Sequence, residues 1–463
     1  MSEQKKYTVG TLEYSLRQLI NVFFWMLWGA IGMSLIAMTF GSGTKFIFRA
    51  NGLSDTVIAV VLGMIISWMN TVMNPIISTA SDNCRARLGR RIPYMLYTAV
   101  PTAFFIAALP FYGHLLPYLP ETIGPLSAKE LVFGAGVVLY YFFFLFVGIV
   151  YYYLIPDVIP AGMMGRYYGF FRVVGAVLGV GFSKFVYPYI ASHPKIIYPA
   201  VGAAYLVITL LVCYFVREGK YPPLEKKSDG EPWFKRVSVT IKDYVKDCYG
   251  SSYYWWFYVA GLAFGLSPCV NIFMDFFYLD SCGMTMSQMG ELGALISIVT
   301  VFACLGAGFV VDYLGAFVAA IIALTLMAVF NICGGIFIHD YISSIIWRIP
   351  LAVFSSIYAV AGGRMLVEVF PRSKFGMIAS GQNILVSLFA GLVNYPLGLF
   401  SDFLRNATPE TTLIFMGHDF MPMLRGYRFV NYWAGLCIAI AMVILLYFYV
   451  FYQKKRTTKA CDE

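Results

Sequence analysis

Charged side chains are scarce in this chain: Asp, Glu, Lys and Arg make up 12% of its 463 residues, where an average soluble domain carries about 25%. A soluble chain of this length would divide into two or three domains with charged exteriors, and there is too little charge here to coat them. Histidine is rarer still, with four residues (His114, His193, His339 and His418), all near ends of apolar runs. No Cys-x-x-Cys pair and no Cys/His cluster occurs, so nothing supports a zinc site or a disulfide framework. The nine cysteines are an odd number, and most of them (Cys213, Cys304, Cys333 and Cys437 among them) sit inside apolar runs as small hydrophobes. A nucleophile–base set is missing too, and no A-x-A cleavage pattern precedes the first apolar run. Together these absences exclude a soluble enzyme, a nucleic-acid binder and a disordered chain.

What is present is apolar: 60% of the residues are hydrophobic and 18% aromatic. A membrane-spanning helix needs about 20 mostly apolar residues. Segments of that length recur at 16–40, 55–80, 93–116, 131–155, 168–191 and 197–216. They resume at 254–279, 288–311, 314–338, 343–366, 375–400 and 428–452. The pattern predicts an all-α membrane protein of twelve spans: an N-terminal half over 1–216, a linker over 217–253 and a C-terminal half over 254–463. The linker carries eight Lys/Arg and six Asp/Glu, and its stretch Trp233–Tyr249 suits an amphipathic helix lying on the membrane.

The net charge of +9 becomes an orientation once its positions are sorted. With both termini in the cytoplasm, 22 of the 33 Lys/Arg fall inside, nine outside, and two (Arg172 and Arg364) within helices near the inner side. The positive-inside rule then places both ends in the cytoplasm. That address suits a multi-pass protein of a plasma or bacterial inner membrane.

The halves also echo each other. Asp157-Val-Ile-Pro160, four residues, then Gly165 returns as Glu368-Val-Phe-Pro371, four residues, then Gly376, each after the fourth span of its half. Asp82 with Gly89 is echoed more weakly by Asp312 with Gly315, but the basic cluster after Asp82 has no counterpart. A duplicated six-helix unit describes carriers that bind substrate near the bilayer midplane and expose it to each side in turn by rocking.

The stretch Asn74–Pro93, NPIISTASDNCRARLGRRIP, resembles the loop after the second helix in the major facilitator superfamily. More narrowly, SDNCRARLGRRIP is similar to the same loop in plant-type sucrose–proton symporters and in melibiose-type glycoside–pentoside–hexuronide:cation symporters. The segment PDVIPAGMMGRYYGFFRVVGAVLG (Pro156–Gly179) resembles the turn and fifth helix of those groups, and EVFPRSKFG (Glu368–Gly376) fits them less specifically. The resemblance implies the major facilitator fold and a loop that latches the cytoplasmic side against the eleventh helix, near Ser373. Asp82, Arg85, Arg87, Gly89, Arg90, Arg91 and Glu368 are the expected gate. It further implies that Asp157 carries the coupling proton and contacts sugar. One departure stands out: the cation-binding Asp-x-x-x-Asp-Pro of melibiose-type carriers reads Asn70-Thr-Val-Met-Asn74-Pro75 here. Amides cannot exchange a proton near neutral pH, which puts sodium coupling by that route in doubt.

Ionisable residues inside spans are costly and tend to be functional or paired. Arg172 could fold back beside Asp157 through the Pro160–Gly165 turn, giving an acid–base pair that breaks on protonation. Asp275 lies in the seventh span, as either a sugar contact or an outer-rim charge. Glu368 and Arg364 have the spacing of a helical i, i+4 pair. Sugars need aromatic platforms and hydrogen-bonding side chains; Trp25, Trp28, Asn70, Asn74, Asn271, Asn383 and Asn394 are the candidates. The expected function is a secondary carrier of a sugar or glycoside, coupled to protons, monomeric and without a cofactor. Two alternatives stay open: a carrier of the same fold for a nucleoside, organic acid or drug, including an uncoupled uniporter, and a solute sensor that moves nothing.

Overall fold

The computed structural model of the protein describes residues 7–221, 245–246, 248–370, 375–408, 411–415 and 418–453. Twelve helices within them are long and apolar enough to cross a membrane. They are α1 (Leu16–Ala50), α2 (Asp55–Asp82), α3 (Ile92–Tyr118), α4 (Ala128–Val158), α5 (Ala161–Tyr189) and α6 (Pro194–Phe215), then α7 (Ser252–Ser281), α8 (Met286–Leu314), α9 (Ala316–Phe337), α10 (Tyr341–Val369), α11 (Ile378–Asn406) and α12 (Phe429–Tyr452). Most of the proposed Trp233–Tyr249 helix, Arg372, Ser373 and Lys374 lie outside the described residues.

Helix starts follow from local chemistry. Ser15 with Gln18, Ser127 with Glu130, Thr285 with Gln288 and Asp340 with Ser343 form reciprocal capping boxes that satisfy the free N–H groups opening α1, α4, α8 and α10. The largest departure from the expected spans is α1, which runs past Gly41-Ser42-Gly43 to Ala50. Flanking side chains compensate for these poor helix formers: Thr39, Thr44, Lys45 and Phe48 are all buried. At Gly32 a Cβ would stand 2.8 Å from Ile208, so only glycine lets α1 and α6 pack this closely.

The chain forms two compact units, Met1–Lys226 and Lys227–Glu463. In the first, the strongest packing pairs are α1 with α5 and α6, α2 with α4, and α3 with α4 and α6. In the second they are α7 with α11 and α12, α8 with α10, and α9 with α10 and α12. Every pairing of the first unit recurs six helices later, so the short sequence echo reflects a repeated six-helix architecture. Five buried tyrosines (Tyr140, Tyr151, Tyr167, Tyr198 and Tyr205) fill the first core, while Phe257, Phe317, Leu324 and Phe448 anchor the second.

Candidate functional site

In the first unit, the loop between α2 and α3 draws together four segments. Arg90 grips Asp157 in a fork, with Nε donating to Oδ2 at 3.1 Å and Nη2 to Oδ1 at 2.6 Å. Arg91 reaches the same carboxylate through Nε at 3.2 Å and donates to Asp82 Oδ1 at 2.5 Å and to Ser81 Oγ. Arg90 also stands 3.5 Å from Asp82. The two arginines therefore bridge the ends of α2 and α4. Arg91 and Asp157 are largely withdrawn from water, at 5% and 13% side-chain exposure, while Asp82 at the rim is 47% exposed. Arg90 is held above the ordinary guanidinium range: burial alone would lower it, but the hydrogen bond and charge of Asp157 outweigh that, helped by Tyr221 and Asp82. Arg85 folds back on the carbonyls of Asp82 and Cys84 at 2.6 and 2.8 Å. Arg87 is exposed.

Glu218, just after α6, was not singled out from the sequence. Its carboxylate accepts the backbone N–H groups of Arg90, Arg91 and Ile92 at 2.9, 2.8 and 2.7 Å. The α3 start has no side-chain cap of its own, so this distant acid satisfies its free donors and complements the positive end of the helix dipole. Tyr221 donates to Glu218 Oε2 at 3.1 Å, and its ring lies 4.2 Å from the Arg90 guanidinium. Burial, then Glu218 and Asp157, push the Tyr221 phenol up. Arg217–Tyr221, read from sequence as the start of a free linker, is instead part of this cluster. Its partners lie more than a hundred residues away, which no local signal reveals. Outside it, Arg85, Arg87, Arg217 and Lys220 border an open basic cavity of about 700 Å³.

Gly89 makes the approach of Glu218 possible. Its φ is +113°, and a Cβ there would lie 2.5 Å from the Glu218 carboxyl carbon. Gly89→Ala is therefore expected to cost about 2–3 kcal/mol through backbone strain and the displaced cap. Thermal unfolding of the purified protein checks this; an unchanged midpoint would show that the cap contributes nothing.

The second unit repeats the scheme with different parts. Arg364 Nη1 donates to Asp312 at 2.6 Å and its Nε to Glu368 at 3.1 Å, so the expected i, i+4 pair gains a third member. Acids ending α8 and α10 are thus joined by arginine, as are those ending α2 and α4. Here the arginine comes from within α10 and is 44% exposed.

Arg172 does not pair with Asp157. It lies exposed on α5 with no ion pair among the described residues, because α5 continues from Ala161 as helix and carries Arg172 away, while Arg90 and Arg91 take the carboxylate. Trp25 stacks on Phe215 at 4.1 Å and 7°, and Trp28 stacks on Phe24. Asn271 is exposed, and Asn394 is buried, donating to the carbonyl of Ala390 at 2.7 Å.

Asn70 and Asn74 do meet at a cavity. About 430 Å³ lies between α1, α2 and α4, walled by Met33, Ser34, Asn70, Asn74, Tyr141, Phe144, Tyr152 and Tyr153. Asn70 donates to Tyr141 Oη at 2.7 Å and to the carbonyl of Ile66 at 3.2 Å, and Asn74 to the carbonyl of Asn70 at 2.8 Å. Asn70 thus spends both of its N–H donors and Asn74 one, leaving the two carbonyl oxygens, the second Asn74 N–H and the Tyr141 hydroxyl hydrogen for a solute. Tyr153 joins this cavity to the cluster below, since the Arg91 guanidinium lies 5.2 Å from its ring.

Two cavities belong to the second unit. One of about 280 Å³ is lined by Gln382, Asn383 and Tyr358 among apolar residues of α7, α9, α10 and α12. The other, about 590 Å³, is wholly apolar and lies against α9, α11, α12 and the turn Phe420–Leu424. Near one end of α10, buried Arg348 donates to Asn431 Oδ1 at 2.5 Å beside Tyr278 and half-buried Asp275. Lys45 and Asp55 are buried in the first unit. Lys45 and Arg348, both among the nine Lys/Arg counted as outside, are buried in helix packing.

No protein-family model matches the chain, and no curated protein matches it. Among solved structures, a bacterial homologue of the iron transporter ferroportin in its inward-facing state is similar, with 13% identity, a TM-score of 0.64, and coverage of 94% of this chain and 99% of that one. The nucleoside transporter NupG has 11% identity and a TM-score of 0.63 over 92% and 99% of the two chains. A D-xylose–proton symporter has 15% identity and a TM-score of 0.59 over 93% and 97%. At these identities the likeness establishes the fold: this is the twelve-helix major facilitator fold.

Proposed function

We propose that the protein is a secondary carrier of a neutral polyhydroxyl solute, a sugar or glycoside, working by alternating access with both termini in the cytoplasm. The observation that carries this reading is the cavity of the first unit. Among the described residues no charged one lines it, which argues against an organic acid or a cationic drug as cargo. Amide acceptors and tyrosine hydroxyls match groups that both give and accept hydrogen bonds, and aromatic faces suit the apolar faces of a sugar ring. A volume of about 430 Å³ falls in the range of small-molecule sites. Tyr153 gives occupancy a route to the arginine cluster, because a solute that moves this ring disturbs Arg91.

Coupling to protons is proposed at Asp157, with Arg90 and Arg91 in the place expected for Arg172. Proton uptake there would release two arginines at once and free the end of α4 from that of α2. Uniport is the second reading, favoured by the two guanidinium groups already holding the Asp157 carboxylate and by the amides at 70 and 74. Uptake by proteoliposomes across a panel of disaccharides and glycosides separates the readings. Accumulation driven by an inward proton gradient is expected; equilibration alone would favour uniport, and binding without flux would overturn the carrier.

A further inference from the structure

Arg348 is 7% exposed and sits seven residues inside the start of α10, about 10 Å along the helix. A guanidinium withdrawn from water is costly unless it is paired, and none of its nitrogens stands in an ion pair with a described carboxylate. Its contacts are neutral. Nη2 donates to Asn431 Oδ1 at 2.5 Å and lies 3.0 Å from the Met274 sulfur, a weak acceptor. The Tyr278 ring is 5.6 Å away.

Two donors of this pair remain buried without an acceptor: Arg348 Nε and Asn431 Nδ2. The neighbouring charges do not resolve the imbalance. Arg428 adds a second cation, already bound to the carbonyl of Gly335 at 2.8 Å and to His339. Asp340 is committed to Ser343 at the start of α10. Asp275, on α7, is close enough to act on Tyr278 but forms no ion pair with Arg348. A buried cation with unmet donors on its own group and on its hydrogen-bond partner is the complement of a small anion.

We propose that Arg348 and Asn431 hold an inorganic anion of chloride size as a structural counter-ion in the packing of α7, α10 and α12. Water would satisfy the donors but leave the charge unbalanced. The site is separate from the solute cavity and does not depend on the transport reading.

The test is thermal unfolding of the whole purified protein in sodium chloride, sodium bromide and sodium gluconate at constant ionic strength. Chloride should raise the midpoint saturably, by on the order of 5 °C at a hundredfold excess over Kd, and bromide should replace it. Arg348→Gln should lose this response. Asn431→Asp should lose it while melting higher than the wild type in gluconate, because the new carboxylate supplies the counter-charge at Asn431. That variant keeps Arg348 and carries the test if Arg348→Gln fails to fold. Equal midpoints of the wild type in chloride and gluconate, a shift linear in salt, or an undiminished chloride response in Asn431→Asp would each overturn the proposal.

Discussion

Asp157→Asn should lower the stability of the first unit by about 3 kcal/mol, the lower end of the cost of breaking a buried ion pair from one side. The midpoint of unfolding should fall by on the order of 8 °C. The substitution removes the carboxylate that accepts three hydrogen bonds from Arg90 and Arg91 at 2.6–3.2 Å, leaving them Asp82, which is 47% exposed. Arg91, 5% exposed at its side chain, would keep only Asp82 and Ser81. The matching change in the second unit, Arg364→Gln, should cost under about 1 kcal/mol, since its partners Asp312 and Glu368 are 78% and 35% exposed and such surface pairs contribute little. Transport supplies an independent reading: if Asp157 carries the coupling proton, the variant should lose gradient-driven accumulation while retaining exchange. Wild-type melting with intact accumulation would remove Asp157 from both roles.

The fold was legible because its governing signals are local. Hydropathy over about 20 residues finds a span without knowledge of its neighbours, and capping residues such as Ser127 and Glu130 mark a start within one turn. Chemistry that depends on which spans meet was only half legible. Asp157, Arg90 and Arg91 were each visible as charges where charge is expensive, but their pairing was not, since Arg90 lies 67 residues from Asp157. Arg172 looked nearer along the chain, yet Arg90 and Arg91 take the carboxylate. Glu218 carried no mark beyond being an acid after the sixth span. Lys45 lay past the expected end of the first span, whereas α1 extends to Ala50 and buries it; Arg348 lay inside the expected tenth span, but its partner Asn431 is 83 residues away and no local signal reveals it. The amides at 70 and 74 were found because the resemblance implied acids in their places, so the substitution itself was the signal.

Asn70→Leu with Asn74→Leu should abolish most saturable uptake while leaving the protein folded. Each amide is half-buried and spends its nitrogen on a backbone carbonyl one turn back, at 3.2 and 2.8 Å. Leucine is a better helix former than asparagine, so losing those bonds costs the helix little. The cavity, however, loses both open carbonyl acceptors, and the donor onto Tyr141 Oη at 2.7 Å disappears. Two solute hydrogen bonds at about 1.5 kcal/mol each amount to about 3 kcal/mol, or on the order of 150-fold in KM. Initial uptake rates over a concentration series measure this, with unfolding midpoints as the control for misfolding. A KM within about threefold of wild type would place the solute elsewhere, with the cavity lined by Gln382, Asn383 and Tyr358 the next to examine. A large rise in KM at an unchanged midpoint would instead tie cargo recognition to the two positions where acids are expected and amides stand. It would also give the protein a reason to keep its ionisable groups one turn away, on the far side of Tyr153, where Arg91 meets Asp157.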